Sequence, residues 1–400
     1  MHSHLRFFGL ASLALALTAS VVRGQNYQVT NLVSDSTAII PAKLQDPNLV
    51  NPWGISFGTG AQATPFWLSD NNAGISTVYS LTPSGPQLQL LVPVPLPGAS
   101  NVGTSTGTPT GTVFNPTTGF NFNSAATNSM QTAQFIFDTE DGTLAAWANG
   151  NSFATVVVDN SGQGAVYKGL ALATGTSQGN LLYATNFNTG HIDVFDSSFH
   201  PIATAGTFTD PGNPKVPSPG TPGYAPFNVQ NFNNTLFVTY ALQDAAQHDD
   251  FSAPGNGFVD EYTTSGVFIK RLITGGALDS PWGLAMAPST FGKFANDLLV
   301  GNFGNSRINA FDPTTGAFLG NVTDSLGNPV LLSNATDVPG LWGLAFGSGT
   351  AGFDPNTLYF TSGDNAQFDG LFGSITAVPE PTAGGFLLGL ATFMVRRRHR

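Results

Sequence analysis

Short apolar runs separated by polar turns fill most of the chain, and they recur in blocks of about 58 residues. Three fragments nearly coincide: Pro52-Trp53-Gly54-Ile55, Pro281-Trp282-Gly283-Leu284 and Leu341-Trp342-Gly343-Leu344. Weaker equivalents lie between them at Pro109-Thr110-Gly111, Tyr167-Lys168-Gly169-Leu170 and Ala225-Pro226-Phe227. The third positions are 54, 111, 169, 227, 283 and 343, at spacings of 57, 58, 58, 56 and 60. Near-equal intervals of this size mark a repeat architecture.

Each block continues in the same way. An apolar run ends in a polar turn, as in Phe66-Trp67-Leu68-Ser69-Asp70-Asn71 and Leu298-Leu299-Val300-Gly301-Asn302. An alternating run follows, such as Ile192-Asp193-Val194-Phe195, then a turn such as Asp312-Pro313-Thr314-Thr315-Gly316, then a fourth run such as 88–94 or 317–322. Four short antiparallel strands per repeat predict a propeller blade. The sixth block lacks a fourth strand, while an unassigned β run stands at 27–33. Pairing the two closes the ring and leaves no open edge. The expected fold is all-β: one six-bladed β-propeller over 26–378, its N-terminal strand completing the last blade. A β-helix would need a shorter coil period, and paired sandwiches would not hold this register.

The two ends read as addresses. Residues 1–24 have a weakly basic start, an apolar run from Phe7 to Val22 and small residues near Ala19 to Gly24, the pattern of a secretory signal peptide. At the other end Pro379-Glu380-Pro381 precedes the apolar stretch Thr382 to Val395, then Arg396, Arg397, Arg398, His399 and Arg400. As a helix this stretch is short for a bilayer, and its arginines favour the cytoplasmic side, so it is expected to insert transiently in the inner membrane as a stop-transfer element.

Composition supports the same picture. Charged residues make up 9% of the chain against a usual ~25%, while Gly and Pro are abundant. There is no cysteine, which excludes disulfides, thiolate metal sites and a cysteine nucleophile. Without both ends, 7 basic and 23 acidic residues remain, a net of -16. That surface attracts cations and disfavours nucleic acid.

The order Pro379-Glu380-Pro381, short apolar helix, basic cluster resembles the PEP-CTERM sorting signal of Gram-negative bacteria. Asp46-Pro47-Asn48-Leu49-Val50-Asn51-Pro52-Trp53-Gly54-Ile55, Ala225-Pro226-Phe227-Asn228-Val229-Gln230-Asn231 and Gly301-Asn302-Phe303-Gly304-Asn305-Ser306-Arg307-Ile308 are similar to a bacterial family of exported propellers, many with this tail. A looser likeness to NHL-type propellers rests on Pro-Trp-Gly-Leu-Ala. The resemblance implies the fold, export, processing by an exosortase-type protease, and a final place at the cell surface or in the extracellular matrix. It implies no reaction.

Candidate chemistry falls at strand ends: Asp70, Asn71, Asp138, Asn186, Tyr240, Asn302 and Asp364. They read either as a ring of oxygens for a hard cation such as calcium, as in six-bladed lactonases, or as turn formers bonded to their own backbone. A long insertion, 241–256, carries His248, Asp249 and Asp250. These are either a metal or general-base group or caps on loop amides. Asp138-Thr139-Glu140-Asp141-Gly142 reads as a hairpin turn, and the tryptophans as packing anchors. Two functions are carried forward. One is a non-enzymatic exported binding or matrix protein, engaging exopolysaccharide or another matrix component. The other is a calcium-dependent hydrolase or lactonase at the channel.

Overall fold

A computed structural model describes residues 26–98, 106–330 and 340–378. The expected signal peptide, the Pro-Glu-Pro segment, the expected C-terminal apolar helix and the basic cluster all lie outside these residues.

The described residues form a six-bladed β-propeller. Blade one is Pro52–Ser56, Phe66–Asp70, Ile75–Thr82 and Gly85–Pro93. Blade two is Pro109–Phe114, Phe135–Thr139, Thr143–Trp147 and Thr155–Asp159, with a hairpin, Asn121–Ser124 and Ser129–Thr132, after its first strand. Blade four is Tyr224–Phe232, Thr235–Leu242, Phe258–Thr263 and Phe268–Thr274. Blade five is Pro281–Met286, Leu298–Asn302, Ile308–Phe311 and Phe318–Asn321. All are antiparallel in chain order.

Blade three departs from the repeat. Only Tyr167–Thr176, Gly179–Asn186 and His191–Phe195 are strands, and the place of a fourth holds one bridge, Phe195 to Pro201. The following connection is rich in proline (Pro201, Pro211, Pro214, Pro217, Pro219, Pro222), which lacks the N–H a ladder requires.

Blade six joins the two ends of the propeller. Leu341–Phe346, Leu358–Asp364 and Asp369–Val378 are completed by Asn26–Ser34, which pairs antiparallel with the last strand, Tyr27 opposite Ala377 and Val29 opposite Ile375. Leu44–Gln45 then lies parallel on the outer edge. The expected 27–33 strand is therefore present and slightly longer.

Among the described residues seven apolar clusters hold the ring. Six fill the gaps between neighbouring blades; blades three and four, for example, share Leu181, Tyr183, Val229, Val238 and Tyr262. Alternation puts successive side chains on opposite faces of each sheet, so one blade feeds two gaps. The seventh cluster sits on the axis and contains Trp53, Phe227, Trp282 and Trp342.

The anchor glycines explain how the inner strands meet. A Cβ on Gly283 would lie 2.5 Å from the Trp342 carbonyl oxygen, and one on Gly343 2.5 Å from that of Trp53. Blade four shifts the expected register by one. Pro226 faces Tyr240 and Asn228 faces Thr239, as Pro281 faces Asn302 and Gly283 faces Gly301. Asn228, not Phe227, thus stands in the glycine place, and Phe227 takes the tryptophan place.

Candidate functional site

The inner strands begin at one mouth of the ring, where the second strands end. There the residue before each anchor glycine, or before Asn228 in blade four, forms a layer: Trp53, Thr110, Lys168, Phe227, Trp282 and Trp342. The aromatic members close the axis. Trp53 stacks on Trp342 at 3.4 Å between centroids, and Trp282 meets both edge-on at about 6 Å. All three indoles are buried. Trp282 donates to the Lys168 carbonyl (3.0 Å) and Trp342 to Asn51 Oδ1 (2.9 Å), while Trp53 Nε1 has no acceptor among the described residues.

Lys168 is the one cation in this layer, 1% exposed. Its Nζ is 5.2 Å from the Trp53 ring centroid, within cation–π range. It pairs with Glu140 and donates to Asp249 Oδ1 at 3.1 Å. Burial alone would lower its pKa, but Glu140 and Asp249 outweigh that and hold the ammonium above its ordinary value. Glu140 also accepts from Asn71 Nδ2 at 2.8 Å.

The blade-four insertion brings the second carboxylate. Gln243 Nε2 reaches the Phe187 carbonyl (2.5 Å), and Gln247, at φ 58°, donates to the Ser218 carbonyl (3.1 Å). Asp244 Oδ1 accepts the amides of His248 and Asp249. Asp244 therefore caps this loop, which frees Asp249 for Lys168 and for His248 Nδ1 at 3.0 Å. That hydrogen bond raises the His248 pKa and depresses that of Asp249. Asp250 turns inward instead; it accepts from Ser252 Oγ and burial raises its pKa.

Among the described residues the strand-end acids Asp70, Asp138 and Asp364 belong to no group of three His, Asp or Glu ligand atoms. Asp70 Oδ2 accepts the Thr77 amide (2.8 Å), and burial pushes its carboxyl well up. Asp138 Oδ1 accepts from Thr110 Oγ1 (2.9 Å) and the Gly111 amide (2.5 Å), and burial raises it to about 7. Asn186 bonds Asp193 (3.0 Å), Asn302 the Ala277 carbonyl (2.8 Å) and Tyr240 the Tyr262 hydroxyl (2.8 Å). Asp364 is buried at the end of its strand. Among the described residues one group of three has ligand atoms all within 4.8 Å of one another: Glu140, His248 and Asp249. Of this group His248 and Asp249 are among the sequence candidates, and the candidate Asn71 bonds its third member, Glu140. Glu140 read as part of a turn, and Lys168 as a degenerate repeat anchor. The available signal was a lysine at an aromatic position of the repeat.

No family model matches the chain. The chain is 31% identical over 357 residues to Uncharacterized protein R648 of Acanthamoeba polyphaga mimivirus, covering 87% of this chain and 80% of that protein. The chain belongs to the R648 family. Uncharacterized protein L690 of the same virus is 28% identical over 354 residues, covering 87% and 85%. The match to R648 is long enough to take in most of the propeller. Solved structures similar to this R648-family chain include an α-L-arabinanase of Penicillium chrysogenum complexed with arabinobiose (12% identity, TM-score 0.48, 87% and 97% coverage). Another is a structural genomics protein from Bacteroides thetaiotaomicron (10%, 0.49, 88% and 76%).

Proposed function

We propose that the protein is an exported propeller that binds a ligand at the tryptophan-layer mouth, placed at the cell surface or in the extracellular matrix. Lys168 carries this reading. Its ammonium is buried between Glu140 and Asp249, so both carboxylates are already engaged in charge pairing. What the mouth offers a ligand is half-exposed His248, the outer face of Asp249, and two bare rings on loops between second and third strands, Phe251 of blade four (57% exposed) and Phe368 of blade six (70% exposed). Rings flanked by hydrogen-bonding groups suit neutral sugar units better than an anionic polymer, which the acidic surface repels. Exopolysaccharide is the proposed partner. Export rests on the pattern of residues 1–24, and surface sorting on 379–400 acting through an exosortase-type protease.

The test is retention on immobilised neutral exopolysaccharide. Wild type is retained, and Phe251→Ala or His248→Ala each weakens retention at least fivefold. Equal retention of all three, or none of wild type, overturns the reading. For sorting, Arg396, Arg397 and Arg398 changed together to Gln leaves protein accumulating in a different cell fraction; an unchanged distribution overturns that part.

One observation favours the calcium-dependent hydrolase as a second reading: the convergence of Glu140, His248 and Asp249. In it Lys168 must give up its place to the ion. Millimolar calcium would then raise the melting temperature, more so in Lys168→Met. No shift in either protein removes this reading.

A further inference from the structure

The part of the blade-four insertion that follows Asp249 docks on the residues leading into blade five. Asp279 Oδ1 and Ser252 Cβ both lie against Gly304, where a Cβ would clash with each of them. Ser252 Oγ in turn donates to Asp250 Oδ2 at 2.5 Å. Carboxylates from two blades thus meet at Ser252. Burial first, and then the Asp250 charge, raises the Asp279 pKa to about 6. Among the described residues neither carboxylate takes part in an ion pair. The field of Lys168 reaches Asp250, but its ammonium is bonded to Glu140 and Asp249. Glu140 therefore has a protein cation for its charge, whereas Asp250 and Asp279 do not.

Two oxygens at this meeting point are buried without a partner. Asp279 is 5% exposed, and its Oδ1 makes no hydrogen bond among the described residues. Ser280 is fully buried, and its Oγ makes none either, although it stands beside the Asp250 carboxyl and favours its charge. Buried polar atoms of this kind are costly unless something satisfies them. Every side-chain donor here is oxygen: two carboxylates and the hydroxyls of Ser252 and Ser280. A set without nitrogen or sulfur suits a hard cation. Calcium accepts irregular sets of carboxylate, neutral oxygen and water, whereas magnesium demands a near-ideal octahedron and sheds its water reluctantly. We propose that Asp250 and Asp279 bind one calcium ion between blades four and five, with Ser280 Oγ as a third protein ligand and water for the rest. The ion ties the insertion that carries His248, Asp249 and Phe251 to the ring. This site is separate from the group of Glu140, His248 and Asp249, and it does not depend on what the mouth binds.

The full chain, stripped of divalent ions, is titrated with calcium chloride at constant ionic strength and followed by calorimetry and melting temperature. The expected result is one calcium per chain, bound at least tenfold tighter than magnesium, with a higher melting temperature because the ion binds only the folded state. Asp250→Asn and Asp279→Asn each weaken calcium at least tenfold, while Asp249→Asn changes it less than twofold. Melting curves confirm that each variant is folded. Where an Asp-to-Asn variant is not, Ser280→Ala is read in its place, with at least a threefold loss expected. Absence of binding at millimolar calcium, equal affinity for magnesium, or an affinity unchanged in Asp279→Asn or in its Ser280→Ala substitute overturns the inference. So does a loss in Asp249→Asn that Asp279→Asn does not share, which would move the ion to Glu140, His248 and Asp249.

Discussion

The indole N–H of Trp282 donates to the main-chain carbonyl of Lys168, 3.0 Å away, joining blade five to blade three across the axis. The backbone of Lys168 thus helps close the channel while its side chain faces Glu140 and Asp249 at the mouth. One residue couples the packed axis to the polar surface.

Lys168→Met should therefore cost stability. Removing one partner of a buried pair costs about 3–5 kcal/mol. The lower end applies here because Asp249 is mostly exposed, whereas Glu140 is largely covered. The double variant Lys168→Met with Glu140→Gln should recover part of the loss, since no unpaired buried carboxylate remains. Urea unfolding of both variants checks this; a double variant less stable than the single one contradicts it.

Tyr27 closes the ring. Its hydroxyl donates to the Phe291 carbonyl (3.1 Å) and accepts from the Phe294 amide (3.2 Å), so the completing strand of blade six also holds blade five. Tyr27→Ala is expected to cost about 3–5 kcal/mol as a buried aromatic truncation. Proteolysis should then cut first near the freed strand. Unaltered stability and cleavage would argue against closure through this residue.

Asp138 supplies a pH signature. Burial raises its pKa to about 7 in the folded protein, above the usual unfolded value near 4. Between those values the folded state holds a proton that the unfolded state has lost. Stability contributed by this site therefore falls as pH rises from about 4 to about 7, then levels off. Measured against Asp138→Asn, wild type should lose relative stability across that window. A difference independent of pH would refute the assignment.

Gly343 is required by close approach. A Cβ there meets the Trp53 carbonyl oxygen at 2.5 Å, whereas one on Gly162 meets nothing within 4 Å. Gly343→Ala should cost about 1–3 kcal/mol by overpacking, and Gly162→Ala close to none. Similar melting temperatures for the two variants would count against the inner-strand contact.

The blade count was legible because the repeat is local. A Trp-Gly anchor and its following strands lie within one block, and their hydrophobic period follows from backbone geometry alone. The strand at 27–33 was legible by subtraction, since one block lacked a partner and one run had no block. Blade four's register was less so. Asn228 takes the glycine place with the same pairing that Gly283 has in blade five, but no glycine marks it in the sequence, so a spacing count has nothing to align there.

The sequence by itself determined the all-β class, the number of sheets and how the ring is sewn, because periodic burial and strand pairing are written at short range. Only the tertiary structure decided which polar groups meet. Glu140, Lys168 and Asp249 come from three different blades, and their contact depends on how each sheet is inclined to the axis.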